Sequence, residues 1–488
     1  MVFSSHLFVY GFLPLALLAY YLVPRRGKNL VLTLFSFVFY GWANVAFIPL
    51  LMASTLIDYL CGLALVSGLK PAPGGDGGEL PLLEPGGPRT RRQRVILTVS
   101  ITANLLLLGF FKYFNFAVDS YDSLVAALGF SGLRLDSVLR VVLPLGISFY
   151  TFKSMSYAID VYRGDARAMR NLLDFFCFES MFPDLVAGPI IRFSEIADQL
   201  ASRTLTGEKF ARGVSFFALG LAKKVLLANP CGKIADTTFG AGALGALDAW
   251  QGLFAYSFQI YYDFSGYSDM AVGLALMLGF MFPKNFDSPY KADSITDFWR
   301  RWHQSLSTWL RDYLYIPLGG NRKGEARTYL NLMLVMLIGG LWHGAAWTFV
   351  IWGAIHGGWL ALERAFGKRS WYRALPRLAR VGLTFFIVMI AWVFFRAPDL
   401  ASALRYLGSL FGGTSATANA ALLGGLIRRP YDLLALGLAA AIAWGAPQTW
   451  NWTRKLTAPK GFACLVLLGL ALAAMATQGY NPFIYFIF

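Results

Sequence analysis

The sequence predicts an all-α, polytopic helical membrane protein forming one membrane-embedded domain over residues 1–488, and three observations carry that prediction. Only 14% of the residues are charged while 57% are hydrophobic, against roughly 25% charged and about 45–50% apolar in soluble domains. Five stretches hold no Asp, Glu, Lys or Arg: 30–57, 95–111, 328–362, 381–395 and 461–478. The basic residues gather in short loops between apolar runs, so the net charge of +16 follows the positive-inside pattern of helical membrane proteins. A helix needs about 20 apolar residues to cross a hydrocarbon core of ~30 Å, which gives roughly ten to twelve spans or partial spans. An ordinary soluble enzyme and a disordered chain do not fit. Nor is a nucleic-acid partner expected, because no basic stripe carries interleaved stacking aromatics.

Taken in order, residues 1–23 lack a basic leading region, and Arg25, Arg26 and Lys28 follow the apolar run. This predicts a retained first span rather than a cleaved signal, with the N-terminus periplasmic and the first loop cytoplasmic. Residues 30–69 hold one charge, Asp58, and are long enough to cross and return. The loop 70–94 is rich in Pro and Gly and ends in Arg89, Arg91, Arg92 and Arg94, so it is expected to be cytoplasmic and flexible. The stretch Phe182 to Pro189 is apolar but interrupted by two prolines and a glycine. Broken helix of that kind is tolerated at membrane depth only where protein buries it or it lines a cavity. Residues 284–327 are basic and carry Trp299, Trp302, Trp309, Tyr313 and Tyr315 as expected interfacial anchors. They predict a cytoplasmic or interfacial segment, an amphipathic helix lying in the membrane surface. The run 328–362 lies between Arg327 and Glu363, so it goes in and comes back, with His343 near its middle. Arg428 and Arg429 fit this topology poorly. Arg454, Lys455 and Lys460 precede the last apolar run, which places 479–488 as an extracytoplasmic tail.

Residues able to carry chemistry are few. The four cysteines are scattered with no paired spacing, and no His, Cys or acidic pattern has metal-ligand spacing, so no metal is expected. His6 opens the first span, where an interfacial ring is ordinary. His303 follows Phe298-Trp299-Arg300-Arg301-Trp302, and on a helix it would share a face with Trp299; it is either a functional group or a surface histidine stacked on tryptophan. His343, in Gly339-Gly340-Leu341-Trp342-His343-Gly344, is an ionisable group deep in an apolar run, which by default marks function. The glycines admit either a substrate or a neighbouring backbone. The bland alternative for His343 is an interhelical hydrogen bond. His356 falls off the His343 face. The run Tyr261 to Asp269 puts two acids and several hydroxyls in an apolar setting, either to orient the histidines or, the reading favoured, to satisfy backbone at a helix break. Leu318 to Lys323 is too short for a Walker-type phosphate loop, but with Arg311 it offers a basic, flexible site for phosphates.

These motifs together resemble the membrane-bound O-acyltransferase family. The resemblance rests on Met1 to Ser5, Phe182-Pro183 through Ala187-Gly188-Pro189, Tyr262 to Asp269, Phe298 through Arg311-Asp312-Tyr313, and Gly340 to Gly344. It runs from residue 1 to about 400 and is looser in the last 90 residues apart from the final eight. The resemblance implies a central tunnel between a cytoplasmic thioester donor and an outer-face acceptor, with broken or re-entrant helices around it. His343 matches the family's buried histidine and His303 the second functional one. The alginate-type branch implies acetyl transfer to a secreted polysaccharide, acetyl-coenzyme A being the expected donor and the bacterial inner membrane the location. Arg311 and Arg322 are then expected on the coenzyme A phosphates. Peptidoglycan, cellulose or teichoic acid are alternative acceptors, to be read by an extracytoplasmic acetyltransferase partner, with membrane lipids around the chain. The rival from another class is a transporter of polymer or lipid-linked sugar, against which stands the lack of a repeated half.

The tail ends Asn481-Pro482-Phe483-Ile484-Tyr485-Phe486-Ile487-Phe488. From Gln478 to Tyr485 an extended strand reaches ~23 Å, whereas the bilayer midplane is only ~15 Å down. Tyr485 is therefore expected either to enter the outer mouth of the tunnel and carry the acetyl group as a relay, or to anchor at the interface. The tail resembles the Phe-x-Tyr terminal motif of envelope-polymer acylation systems, which implies the relay.

Overall fold

A computed structural model describes residues 1–69, 80–135, 138–242, 244–367, 371–413 and 420–484, and among them every regular element is helical. The chain gathers into two compact units. One comprises residues 1–2, 7–206 and 278–282; the other comprises 3–6, 207–277 and 283–488. Among the described residues four helices are long and apolar enough to span a membrane: Val45–Val66, Arg91–Ala127, Arg377–Arg396 and Ala458–Thr477. The remaining apolar runs make shorter or broken helices, among them Leu7–Leu22 and Pro430–Gly445.

In the first unit, the run after Lys28 folds as two helices, Lys28–Gly41 and Ile48–Val66, as its length required. A charge inside an apolar helix needs partners. Asp58 is fully buried and accepts from Ser100 Oγ at 2.6 Å and Asn104 Nδ2 at 2.9 Å, both on the Arg91–Ala127 helix. Thr90 caps that helix with Gln93 in a reciprocal capping box. The expected loose loop therefore ends earlier than 94. Arg89 pins its second half by donating to the carbonyls of Glu84, Tyr162 and Arg163, while 70–79 lie outside the described residues. Residues 182–188 are buried turns, as their prolines required. Asp184 there pairs with the buried Lys153 at 2.7 Å.

The second unit is built around Ala246–Met277, a single 32-residue helix buried along nearly its whole length. The helix break expected near 261–269 does not exist. The acids there are met by cations from another segment: Lys224 on Asp263 at 2.7 Å and Lys223 on Asp269 at 2.6 Å. Arg428, misplaced by simple topology counting, forms an ion pair with Asp248 at the start of this helix. The charge-free run 328–362 forms the expected hairpin, Glu325–His343 and Trp347–Phe366.

The single amphipathic helix expected within 284–327 is replaced by short pieces, Ile295–Arg301, Gln304–Leu310 and a π-helical turn Arg311–Tyr315. Trp302 and Trp309 are buried in the unit rather than interfacial.

Candidate functional site

The residue that breaks this segment is His303. Its φ of 44° is left-handed; among the described residues only Ser288 shares that trait without being glycine. A non-glycine side chain held there costs about 1–3 kcal/mol and persists only where surrounding contacts impose it. One such contact is a carboxamide. Asn285 Oδ1 receives the Ser305 N–H at 3.3 Å and the Ser305 hydroxyl at 2.9 Å, which identifies that atom as the oxygen. His303 Nδ1 lies 3.1 Å from it. An oxygen that only accepts requires the proton on Nδ1, leaving a lone pair on Nε2. Nε2 is itself buried, without a hydrogen-bond partner among the described residues. Burial pushes the imidazole down to about 3, so His303 is neutral at physiological pH.

The left-handed turn also separates His303 from Trp299, which the helical spacing had put on one face. Trp299 Nε1 donates instead to Nδ1 of His356, at 3.3 Å. His356 is fully buried against Phe298 and Trp352. It is a core histidine bonded through Nδ1, while its Nε2, like that of His303, is buried without a hydrogen-bond partner among the described residues.

His343 ends the Glu325–His343 helix, at the tip of the hairpin. Gly340 before it and Gly353 on the facing helix serve backbone packing. A Cβ on Gly340 would lie 2.3 Å from the Phe349 carbonyl oxygen, and one on Gly353 2.4 Å from that of Met336, so the two helices touch main chain to main chain. This close hairpin carries His343 to a ring-centroid distance of 6.4 Å from His303. Aromatic rings enclose the pair: Trp342, Trp352 and Phe395 at 4.8, 5.2 and 5.2 Å from His343, and Phe264 at 4.7 Å from His303. Two histidines 40 positions apart thus face one buried, ring-walled place.

The 480–484 segment enters the same unit. Phe483 stacks on Tyr267 at 4.6 Å, and the Ile484 amide donates to Asp263 Oδ2 at 2.8 Å, one residue from the Phe264 that touches His303. Phe483 and Ile484 are only 4% and 3% exposed, which is core burial. Tyr485 and the three residues after it lie outside the described residues. The two candidate phosphate ligands are exposed on the protein surface, with Arg311 bound to Asp312 at 2.6 Å. That hydrogen bond raises the Arg311 pKa further and engages part of its fork. Among the described residues no group of acids, cysteines and histidines is arranged to hold a metal.

Sequence spacing missed Asn285, which precedes His303 by 18 positions, and Lys224, which pairs across sequence with Asp263. Only the presence of a lysine in an apolar run hinted at the latter.

Comparison with known proteins gives concordant matches. Residues 163–397 match the model of the MBOAT, membrane-bound O-acyltransferase family. The chain is similar to the probable alginate O-acetylase AlgI of Azotobacter vinelandii, 42% identical over 100% of both chains. It is 46% identical to the protein of that name from Pseudomonas aeruginosa, over 95% of this chain and 85% of the relative. It is also 38% identical to a peptidoglycan O-acetyltransferase of Helicobacter pylori, over 84% of this chain and 80% of the relative.

Proposed function

Since the chain belongs to the membrane-bound O-acyltransferase family, we propose that it passes acetyl from a cytoplasmic thioester, acetyl-coenzyme A, across the bacterial inner membrane for O-acetylation of an exported polysaccharide, alginate or a related exopolysaccharide. Membership in an acyltransferase family sets the transporter aside. The alginate-type acceptor is favoured over peptidoglycan by the identities, 42% and 46% against 38%. An extracytoplasmic acetyltransferase partner hands the acetyl to the polymer, and both termini face the periplasm.

The observation that carries the mechanism is the 6.4 Å separation of the His303 and His343 rings inside an aromatic enclosure. A thioester carbonyl is already activated, so the protein need supply only a base, an approach path and charge stabilisation. His343 takes the proton from an attacking hydroxyl as its oxygen bonds to the acetyl carbon. The C–S bond then breaks, and the coenzyme A thiolate leaves and recovers the proton. Neutral His303, its Nε2 lone pair aimed into the site, positions the hydroxyl. Arg311 and Arg322 hold the coenzyme A phosphates. The first attacking hydroxyl is the phenol of Tyr485. Its acetate ester is a better donor than an alkyl ester because phenolate leaves readily. A second attack, by the hydroxyl of the acceptor, then releases the free phenol. The burial of Phe483 on Tyr267 and of Ile484 on Asp263 supports this relay over an interfacial anchor.

Two substitutions test the reading. His343→Ala should abolish polymer acetylation at an unchanged membrane level of the protein; wild-type acetylation sinks the mechanism. Tyr485→Phe keeps the ring and removes only the nucleophile, and normal acetylation by that variant would make the tail an anchor.

A further inference from the structure

Burying two opposite charges costs more than their attraction returns unless their remaining hydrogen-bonding capacity is also met. Lys224 and Asp263 are each 2% exposed and 2.7 Å apart. What completes them is main chain from far along the sequence. Lys224 Nζ donates to the carbonyl of Pro482, and Asp263 Oδ2 receives the Ile484 N–H at 2.8 Å. The side chain between those contacts turns away onto Tyr267, whose ring is also stacked by Phe3 at 4.4 Å. Further bonds hold the preceding residues. Asn229 donates to the Tyr480 carbonyl at 3.2 Å, and Asn481 donates to the Ser4 carbonyl at 2.8 Å. The Tyr480 hydroxyl bonds Asp236, which Arg396 holds at 2.7 Å. Lys224 itself stands in a π-helical turn, Lys223–Ala228, an irregularity frequent at functional sites.

We propose that Lys224 and Asp263 are positioning residues: their ion pair grips the backbone of 482–484 and sets the register at which Tyr485 reaches the histidines. This rests on the relay reading. The grip acts on a carbonyl and an amide, so it fixes the chain's path rather than selecting side chains, and a slip of one residue would move the phenol by ~3.3 Å. A displacement of about 1 Å at a reacting centre can cost on the order of a hundredfold in rate.

The test is hydrogen–deuterium exchange of the peptide 479–488 in the full protein in detergent, read beside acetyl transfer. In Lys224→Met/Asp263→Leu, which removes both charges together, that peptide should exchange at least about tenfold faster while the rest of the chain is unchanged. Acetyl transfer should fall at least about tenfold. Asp263→Asn, nearly isosteric, should do both to a lesser degree and decides the matter if the double variant fails to fold. Wild-type exchange in a folded variant overturns the grip. Faster exchange with wild-type transfer overturns its role in setting register. Tyr485→Phe should keep wild-type exchange; if it also acetylates normally, the relay falls, and the exchange data still judge the grip.

Discussion

Asn285 holds the proton of His303 on Nδ1 and so leaves the buried Nε2 with a lone pair to accept. In the proposed mechanism Asn285 orients the His303 ring, and misplacing a group by about 1 Å near reacting atoms can cost on the order of a hundredfold. Asn285→Ala should therefore lower kcat by on the order of tenfold or more, with little change in KM for the thioester, in a steady-state assay of purified protein. Asn285→Asp tests the electrostatics. The wild-type imidazole titrates near 3, below its ordinary value of about 6.5, so protonation of His303 leaves no acid limb in the neutral range. A carboxylate on Nδ1 favours the charged ring, so the variant should show an acid limb at higher pH. The same depressed value ties stability to pH: the contribution is present above about 6.5 and is lost as pH falls toward the folded value. Little of this was readable beforehand. Helical spacing paired His303 with Trp299, and the left-handed residue that breaks the pairing has no signature in Phe298-Trp299-Arg300-Arg301-Trp302-His303. His343 was readable, because a histidine near the middle of 35 residues without Asp, Glu, Lys or Arg must have a reason to be there.

At the scale of elements, the hairpin Glu325–His343 and Trp347–Phe366 was legible from the length of one apolar run between two charged ends. Its glycines were not, since open space for a ligand and close backbone approach leave the same letters. Main-chain contact decides for packing. Gly353→Val should force the helices apart against the Met336 carbonyl and destabilise the protein by about 1–3 kcal/mol, the usual cost of overpacking. Thermal unfolding in detergent would read this as a lower Tm, with transfer falling as His343 shifts. The Ala246–Met277 helix taught the opposite lesson. Its run of acids and hydroxyls looked like a break because their partners, Lys223, Lys224 and Thr449, come from distant positions that local spacing cannot reveal.

For the molecule as a whole, composition alone dictated an all-helical membrane protein, and the charge-free runs located the spanning helices Arg91–Ala127, Arg377–Arg396 and Ala458–Thr477. Counting runs did not anticipate how many would be shortened, broken or drawn into protein interior, nor that the described chain would gather as two units. That division depends on contacts between distant residues: Asp58 with Ser100 and Asn104 in one unit, Asp248 with Arg428 in the other. The rings around His303 and His343 have a consequence for yield. An activated thioester beside a base is equally open to water, and hydrolysis would discharge the donor with nothing acylated. Trp342, Trp352, Phe264 and Phe395 pack around the histidine pair, and on the proposed reaction they would keep bulk water from that step. In the proposed acetyl transfer, such a wall would keep donor breakdown coupled to delivery.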